Sequence, residues 1–344
     1  MIQFQCDYNE GAHPLIIQRL IESNMTQSVG YGEDPYCDEA RALIKSACER
    51  EDVDVHFLVG GTQTNTTVIA HTLRPYQGVI AATSGHINVH ETGAIESTGH
   101  KVLAVPTADG KLTAEQIEEV MQAHIHEDGP EHMVQPGMVY LSFPTEIGTI
   151  YTVSELEAIS TVCKRHSLPL FVDGARLGYG LCSPESDITL PMLAKLTDIF
   201  YIGGTKVGAL FGEAVVITNE ALKKDFRYSI KQHGGMLAKG RLLGIQFATL
   251  FTDNLYMNIS RHAIDEALRI KAALQAKGIP FLIDSSTNQQ FPIFNNEQLA
   301  SLSTEYLFSI WQVVDKQHTA VRICTSWATH TKNVDQLIAA IEQL

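Results

Sequence analysis

No two of the six cysteines form a C-x-x-C pair; Cys6, Cys37, Cys48, Cys163, Cys182 and Cys324 are scattered along 344 residues. Such spacing fits free, mostly buried thiols in a reducing compartment better than a disulfide framework or a zinc ribbon. No apolar run approaches the length that spans a bilayer. The first residues, MIQFQCDYNEG, lack a basic stretch followed by an apolar one, so no signal peptide is expected. Positive charge is scarce: 25 Lys and Arg stand against 39 Asp and Glu, a net charge of −14. A chain this acidic repels nucleic acid and anionic lipid as a whole, although a local basic pocket can still hold one small anion. Low-complexity segments and internal repeats are also missing. The expectation is a soluble, cytoplasmic protein that acts on small molecules, without a nucleic-acid or membrane partner.

What is present is apolar material, 44% of the residues, enough for a sizeable core. The length favours one large and one smaller domain. From Asp34, which can cap a helix opened by Pro35, helical and strand-like segments alternate. The strand-like runs are Val53–Val59, Val79–Ala82, Val102–Val105, Val139–Ser142, Leu170–Val172, Ile199–Ile202 and Ala214–Ile217. Thr113 with Gln116, and Ser154 with Glu157, read as capping boxes at two helix starts. Short, continuously apolar strands separated by helices predict an α/β fold with a mostly parallel sheet covered on both faces. Long helical stretches then run to about Lys277. Mixed strands follow at Phe281–Ile283, Phe291–Phe294 and Ala320–Cys324, and a last helix starts near Lys332. The expected division is a large domain over 1–250 and a smaller α+β domain over 251–344.

In parallel α/β sheets ligands gather at the carboxyl ends of strands, so residues just after the apolar runs come first. Gly60, Gly61 and Thr62 follow a strand and open a helix, which suits a phosphate cup of backbone N–H groups. The same residues also suit a plain strand-to-helix turn. Asp173 ends a buried strand, with Arg176 three residues on; this is either a structural ion pair or a carboxylate for a cationic ring nitrogen beside a free arginine. Lys206 follows an apolar strand and two glycines without an evident neighbouring acid, a costly place for an ammonium and a suitable one for a Schiff-base lysine. His86 and His90, four apart with Glu91 adjacent, raise a metal site, but the spacing is not that of H-E-x-x-H and no third ligand is fixed. Stacking on a flat cofactor is the better role for His86, and a surface position for His90. His124 and His126 suit a solvated helix end. A phosphate cup, a ring-nitrogen carboxylate and a Schiff-base lysine, in that order, fit pyridoxal 5′-phosphate.

The chain resembles the threonine aldolase/β-eliminating lyase family of fold-type I enzymes that use this cofactor. The resemblance runs through DYNEGAHP (Asp7–Pro14), YGEDP (Tyr31–Pro35), GGTQTN (Gly60–Asn65) and GHINVHE (Gly85–Glu91). It continues in SFPTEIGT (Ser142–Thr149), VDGAR (Val172–Arg176), GGTKVG (Gly203–Gly208), HGGM (His233–Met236) and VRICTSW (Val321–Trp327). It implies a PLP-dependent transferase-like fold and an aldolase that releases glycine and an aldehyde from a threonine-like amino acid. By the same resemblance Lys206 is the Schiff-base lysine, Asp173 the partner of the pyridine nitrogen and His86 the stacked histidine. Gly61 and Thr62 match the phosphate cup, joined by Thr205, while Arg176 and Arg322 match the arginines that hold the substrate carboxylate. Tyr31 matches a tyrosine contributed across a subunit interface, which implies a homodimer or homotetramer, and His132 falls close to a second active-site histidine.

Two departures stand out. Cys6 replaces the serine found before the N-terminal Asp, and Leu237-Ala238 replaces an arginine after G-G-M, with Lys239 and Arg241 nearby. β-Elimination or transamination on the same scaffold is the nearest alternative, and a non-catalytic cofactor-binding regulator the next. The site, not the fold, chooses the bond that breaks.

Overall fold

The computed structural model describes every residue from Met1 to Leu344. The seven apolar runs form one sheet in the spatial order Asp54–Leu58, Glu213–Ile217, Ile199–Gly203, Leu170–Asp173, Gln135–Ser142, Gln77–Ala82, Val102–Val105. Neighbours are parallel except Glu213–Ile217, which runs antiparallel to both of its partners. The reason is the short link: residues 204–212 are too few for the crossover a parallel return needs. The two strands Ile199–Gly203 and Glu213–Ile217 are buried along their whole length, as a sheet covered on both faces requires.

Successive strand residues alternate between two apolar clusters, one per face. Leu141, Val172, Phe200 and Val216 belong to the larger cluster. Tyr140, Phe171, Tyr201 and Val215 belong to the other. This alternation sends Asp173 to the same face as Tyr140 and Tyr201.

The helix Pro35–Ala47 is capped by Asp34, whose side chain accepts from Cys37 N, and Thr113 with Gln116 makes the expected box on Ala114–Ile125. The box on Val153–Arg165 is Thr152 with Glu155 rather than Ser154 with Glu157. Thr152 is the last extended residue, whereas Ser154 already lies inside the first turn and cannot cap it.

The 22-residue helix Leu255–Ala276 joins the two parts of the molecule. Its Ala263 and Ile264 pack in the large cluster, while Ile270 and Leu274 pack in a separate 13-residue cluster with Phe4, Phe294, Val321 and Val334. There His318–Cys324 pairs antiparallel with Ile293–Asn295, Ser309–Val313 and Gln289–Gln290. Phe281–Ile283 is not a strand: Phe281 makes one isolated bridge to Pro292. Ile2–Gln3 pairs in parallel with Tyr306–Leu307, so the chain start lies on the smaller part. No helix is long and apolar enough to cross a membrane.

Candidate active site

A cavity of about 710 Å³ opens at the carboxyl ends of the central strands, between the large sheet and the strand Ser309–Val313. Asp173 is its most heavily supported group. It is 5% exposed and pairs in register with Ser142 of the adjacent strand. Oδ1 accepts from Tyr201 Oη at 2.5 Å and Ala175 N at 3.0 Å, and Oδ2 from Tyr140 Oη at 2.6 Å and Asn65 Nδ2 at 3.1 Å. Burial alone would raise its pKa; the nearby His86 and these donors outweigh it and hold the carboxyl below its usual value. Asn65 also donates to Glu91 Oε1 at 2.7 Å, and His86 Nδ1 meets the same oxygen at 2.7 Å. The contact with a carboxylate oxygen that also accepts from Asn65 places a proton on Nδ1 and fixes the orientation of the ring.

The helix Gly61–Thr72 starts without a side-chain cap, so its first N–H groups are free beside the cavity. A Cβ at Gly61 would stand 3.1 Å from Tyr201 Oη, the hydroxyl that supports Asp173. Thr205 Oγ1 donates to Glu213 Oε1 at 3.0 Å and Gly204 N to Glu213 Oε2 at 3.1 Å. Burial pushes the Glu213 carboxyl up to about 8. Lys206 lines the cavity and forms no ion pair; burial first, then the charge of Arg176, lowers its pKa.

Arg176 and Arg322 both reach the cavity, from opposite parts of the chain. Arg176 is forked by Asp7, with Nε on Oδ2 at 2.7 Å and Nη2 on Oδ1 at 3.1 Å, which leaves Nη1 uncommitted. Arg322 has no acidic partner. Its Nη2 donates to Gln5 O at 2.9 Å, Nη1 to Gln289 Oε1 at 3.3 Å, and its guanidinium lies 5.6 Å from the Trp311 ring centroid.

Gly61, Thr62, His86, Asp173, Arg176, Thr205, Lys206 and Arg322 therefore share one cavity. Tyr31 and His132 do not line it. Tyr31 is 48% exposed, in a left-handed conformation, with Lys231 Nζ 5.1 Å from its ring centroid. His132 ends the exposed short turn Pro130–His132. Tyr8, Ser142, Glu146, Tyr201 and Glu213, which no sequence pattern singled out, also line the cavity, and His90 is exposed, as expected, at its edge. Period-two alternation out from Asp173 was the available signal for Ser142 and Tyr201. No such signal marks Glu146 in its loop. No cluster of three or more His, Cys, Asp or Glu side chains is arranged to hold a metal.

Known proteins share this fold. A family profile described as beta-eliminating lyase matches residues 11–297. The low specificity L-threonine aldolase of Pseudomonas aeruginosa is 31% identical, over 97% of this chain and 95% of its own. A solved structure of Leishmania major threonine aldolase superposes with a TM-score of 0.97 at 47% identity, covering 100% of this chain and 99% of that one. An aspartate aminotransferase from Thermus thermophilus, 13% identical over 100% of this chain and 91% of its own, has a TM-score of 0.71 and shares the fold alone. The architecture is that of fold type I, and the chain belongs to the beta-eliminating lyase family.

Proposed function

We propose that this protein is a pyridoxal 5′-phosphate-dependent carbon–carbon lyase that cleaves a threonine-like β-hydroxy-α-amino acid to glycine and an aldehyde. One observation carries the reading: a lysine and a buried aspartate, neither of them in an ion pair, face the same cavity as an uncapped helix start. Those residues fit the cofactor. Asp173, held below its usual pKa and in no ion pair, suits a cationic ring nitrogen, and Gly61 leaves room for a phosphate to approach the helix start. When bound, pyridoxal 5′-phosphate supplies a sink for the electron pair left on Cα as the Cα–Cβ bond breaks.

Lys206 Nζ would be the point of covalent attachment, and its lowered pKa favours the neutral amine that attachment needs. Asp173 would keep the ring nitrogen protonated. Backbone N–H groups of Gly61 and Thr62, with Thr205, hold the phosphate. His86, fixed by Glu91, would lie against the bound ring, with Nε2 available to take the β-hydroxyl proton. Arg322, with the free Nη1 of Arg176, holds the α-carboxylate. The same reading makes the protein a cytoplasmic homodimer or homotetramer in which Tyr31 completes a neighbouring site. It divides the chain into domains 1–250 and 251–344, the first residues crossing onto the smaller one. Incubation with threonine and identification of the products tests it. Glycine and acetaldehyde are expected; ammonia with a keto acid would assign β-elimination instead.

A further inference from the structure

Gln289 has no assigned task in the reading above, yet it touches the cavity arginine that has no acidic partner. It lies in Ser285–Gln290, a run of polar residues that are all buried. A polar run stays out of water only where its hydrogen bonds offset the cost. In the antiparallel register Gln289 stands opposite Cys324 and Gln290 opposite Ile323, which fixes the segment against the strand that carries Arg322. Its side chains reach the supports of both cavity arginines. Asn288 Nδ2 donates to Asp7 Oδ2 at 2.9 Å, and Asp7 forks Arg176. Gln289 Oε1 accepts from Arg322 Nη1 at 3.3 Å. The N-terminal segment spans the same two groups: Asp7 holds Arg176, and Gln5 O accepts from Arg322 Nη2 at 2.9 Å.

We infer that Gln289 is a positioning residue for the substrate carboxylate: its side-chain oxygen holds one edge of Arg322, and its being an amide leaves the charge of that arginine for the substrate. That role rests on the carboxylate function proposed for Arg322 above. A guanidinium only donates, so the amide must turn Oε1 toward it and Nε2 away. Nε2 is buried and has no acceptor. A glutamate would accept from Arg322 without leaving a donor orphaned, but it would neutralise the arginine. Arg176 shows that alternative, its charge spent on the fixed carboxylate of Asp7. Arg322 is held instead by two neutral oxygens and by the Trp311 ring, whose centroid lies 5.6 Å from the guanidinium carbon. One hydrogen remains on each Nη for an anion in the cavity that Arg322 lines.

The test follows the cofactor absorption band of the full-length, pyridoxal 5′-phosphate-loaded protein by stopped flow, as threonine or its decarboxylated amine is added. Gln289→Glu keeps the shape and the acceptor but sets an acid on Arg322, so it should weaken threonine binding about tenfold or more and spare the amine. Gln289→Met keeps the length without the acceptor and should weaken threonine about threefold to tenfold, again sparing the amine. In both variants kcat at saturating threonine should stay within about twofold of the parent, because the residue acts on binding. Threonine bound as tightly as by the parent, equal losses for threonine and the amine, or a fall in kcat with KM unchanged would each overturn the inference. Gln289→Met buries no new charge, so it decides the question even where Gln289→Glu does not fold. Arg322→Lys, titrated with the same two ligands, separates the two failures. A selective loss of threonine there, with the Gln289 variants indifferent, rejects the role of Gln289 alone; equal losses there reject the carboxylate role of Arg322 as well.

Discussion

Arg176 and Arg322 carry the same side chain under different constraints. Asp7, fully buried, takes two prongs of Arg176 and a third bond from Asn288 Nδ2 at 2.9 Å. Burial would raise the Asp7 pKa, but Arg176, Lys206 and the hydrogen bonds outweigh it and lower it. A depressed folded pKa means that the pair stabilises the protein above the unfolded value and loses that contribution as the pH falls through the folded value. Asp7→Asn strands a buried guanidinium, so it should cost about 3–5 kcal/mol at neutral pH and show a weaker acid dependence, read by urea unfolding at several pH values. Unchanged stability would mean that water already screens the pair. Arg322 is free of acids and backed by Trp311. Arg322→Lys should therefore weaken threonine binding about tenfold, the worth of one charge-assisted hydrogen bond, while sparing the decarboxylated amine. Titration of both compounds against the cofactor absorption band checks this, and an equal loss for the two would remove the carboxylate role.

At the scale of elements, the outer strand Asp54–Leu58 shows how position sets chemistry. Its His56 packs 5.1 Å from the Phe226 ring with Nε2 unpartnered. Burial, followed by the charges of Arg41, Arg227 and His71, lowers its pKa to about 3. The unfolded chain protonates this residue near the ordinary value of about 6.5. Between those two values the unfolded state binds a proton that the folded state refuses, so stability falls as the pH drops. His56→Phe removes that term. Its Tm should fall less steeply than the parent's between about pH 7 and pH 5, by thermal melts; parallel slopes would show the imidazole to be solvated. The helices were more legible than their ends. Thr113 marked its helix to the residue because a capping box is a local bond pattern. Ser154 misled because Thr152, two residues earlier, carries an equivalent hydroxyl, and only backbone dihedrals tell them apart.

The whole molecule leaves Tyr31 outside its own cavity, and Met25, Val29 and Tyr228 are exposed as well. If Tyr31 serves a neighbouring site, mixing Tyr31→Ala with Lys206→Ala subunits places both defects in one pocket of each heterodimer and leaves the other intact. Two inactive parents should then regain about a quarter of parental activity under random mixing, measured as aldehyde release. A mixture no better than its components would exclude sharing. The order of Gly61, Asp173 and Lys206 along strand ends was readable because each follows a local apolar run, and strand alternation fixes which face such a residue meets. The seven strands were legible for the same reason, since burial on both faces leaves continuous apolar runs. Ser309–Val313 was not, because it alternates half-buried and exposed residues and depends on its partner strand for definition. What the sequence by itself determined was the class of fold and the chemistry-bearing residues of the large sheet. Only the tertiary structure decided that Arg176 is claimed by Asp7 and that Arg322 has no acidic partner, because each depends on distant segments that no local pattern encodes.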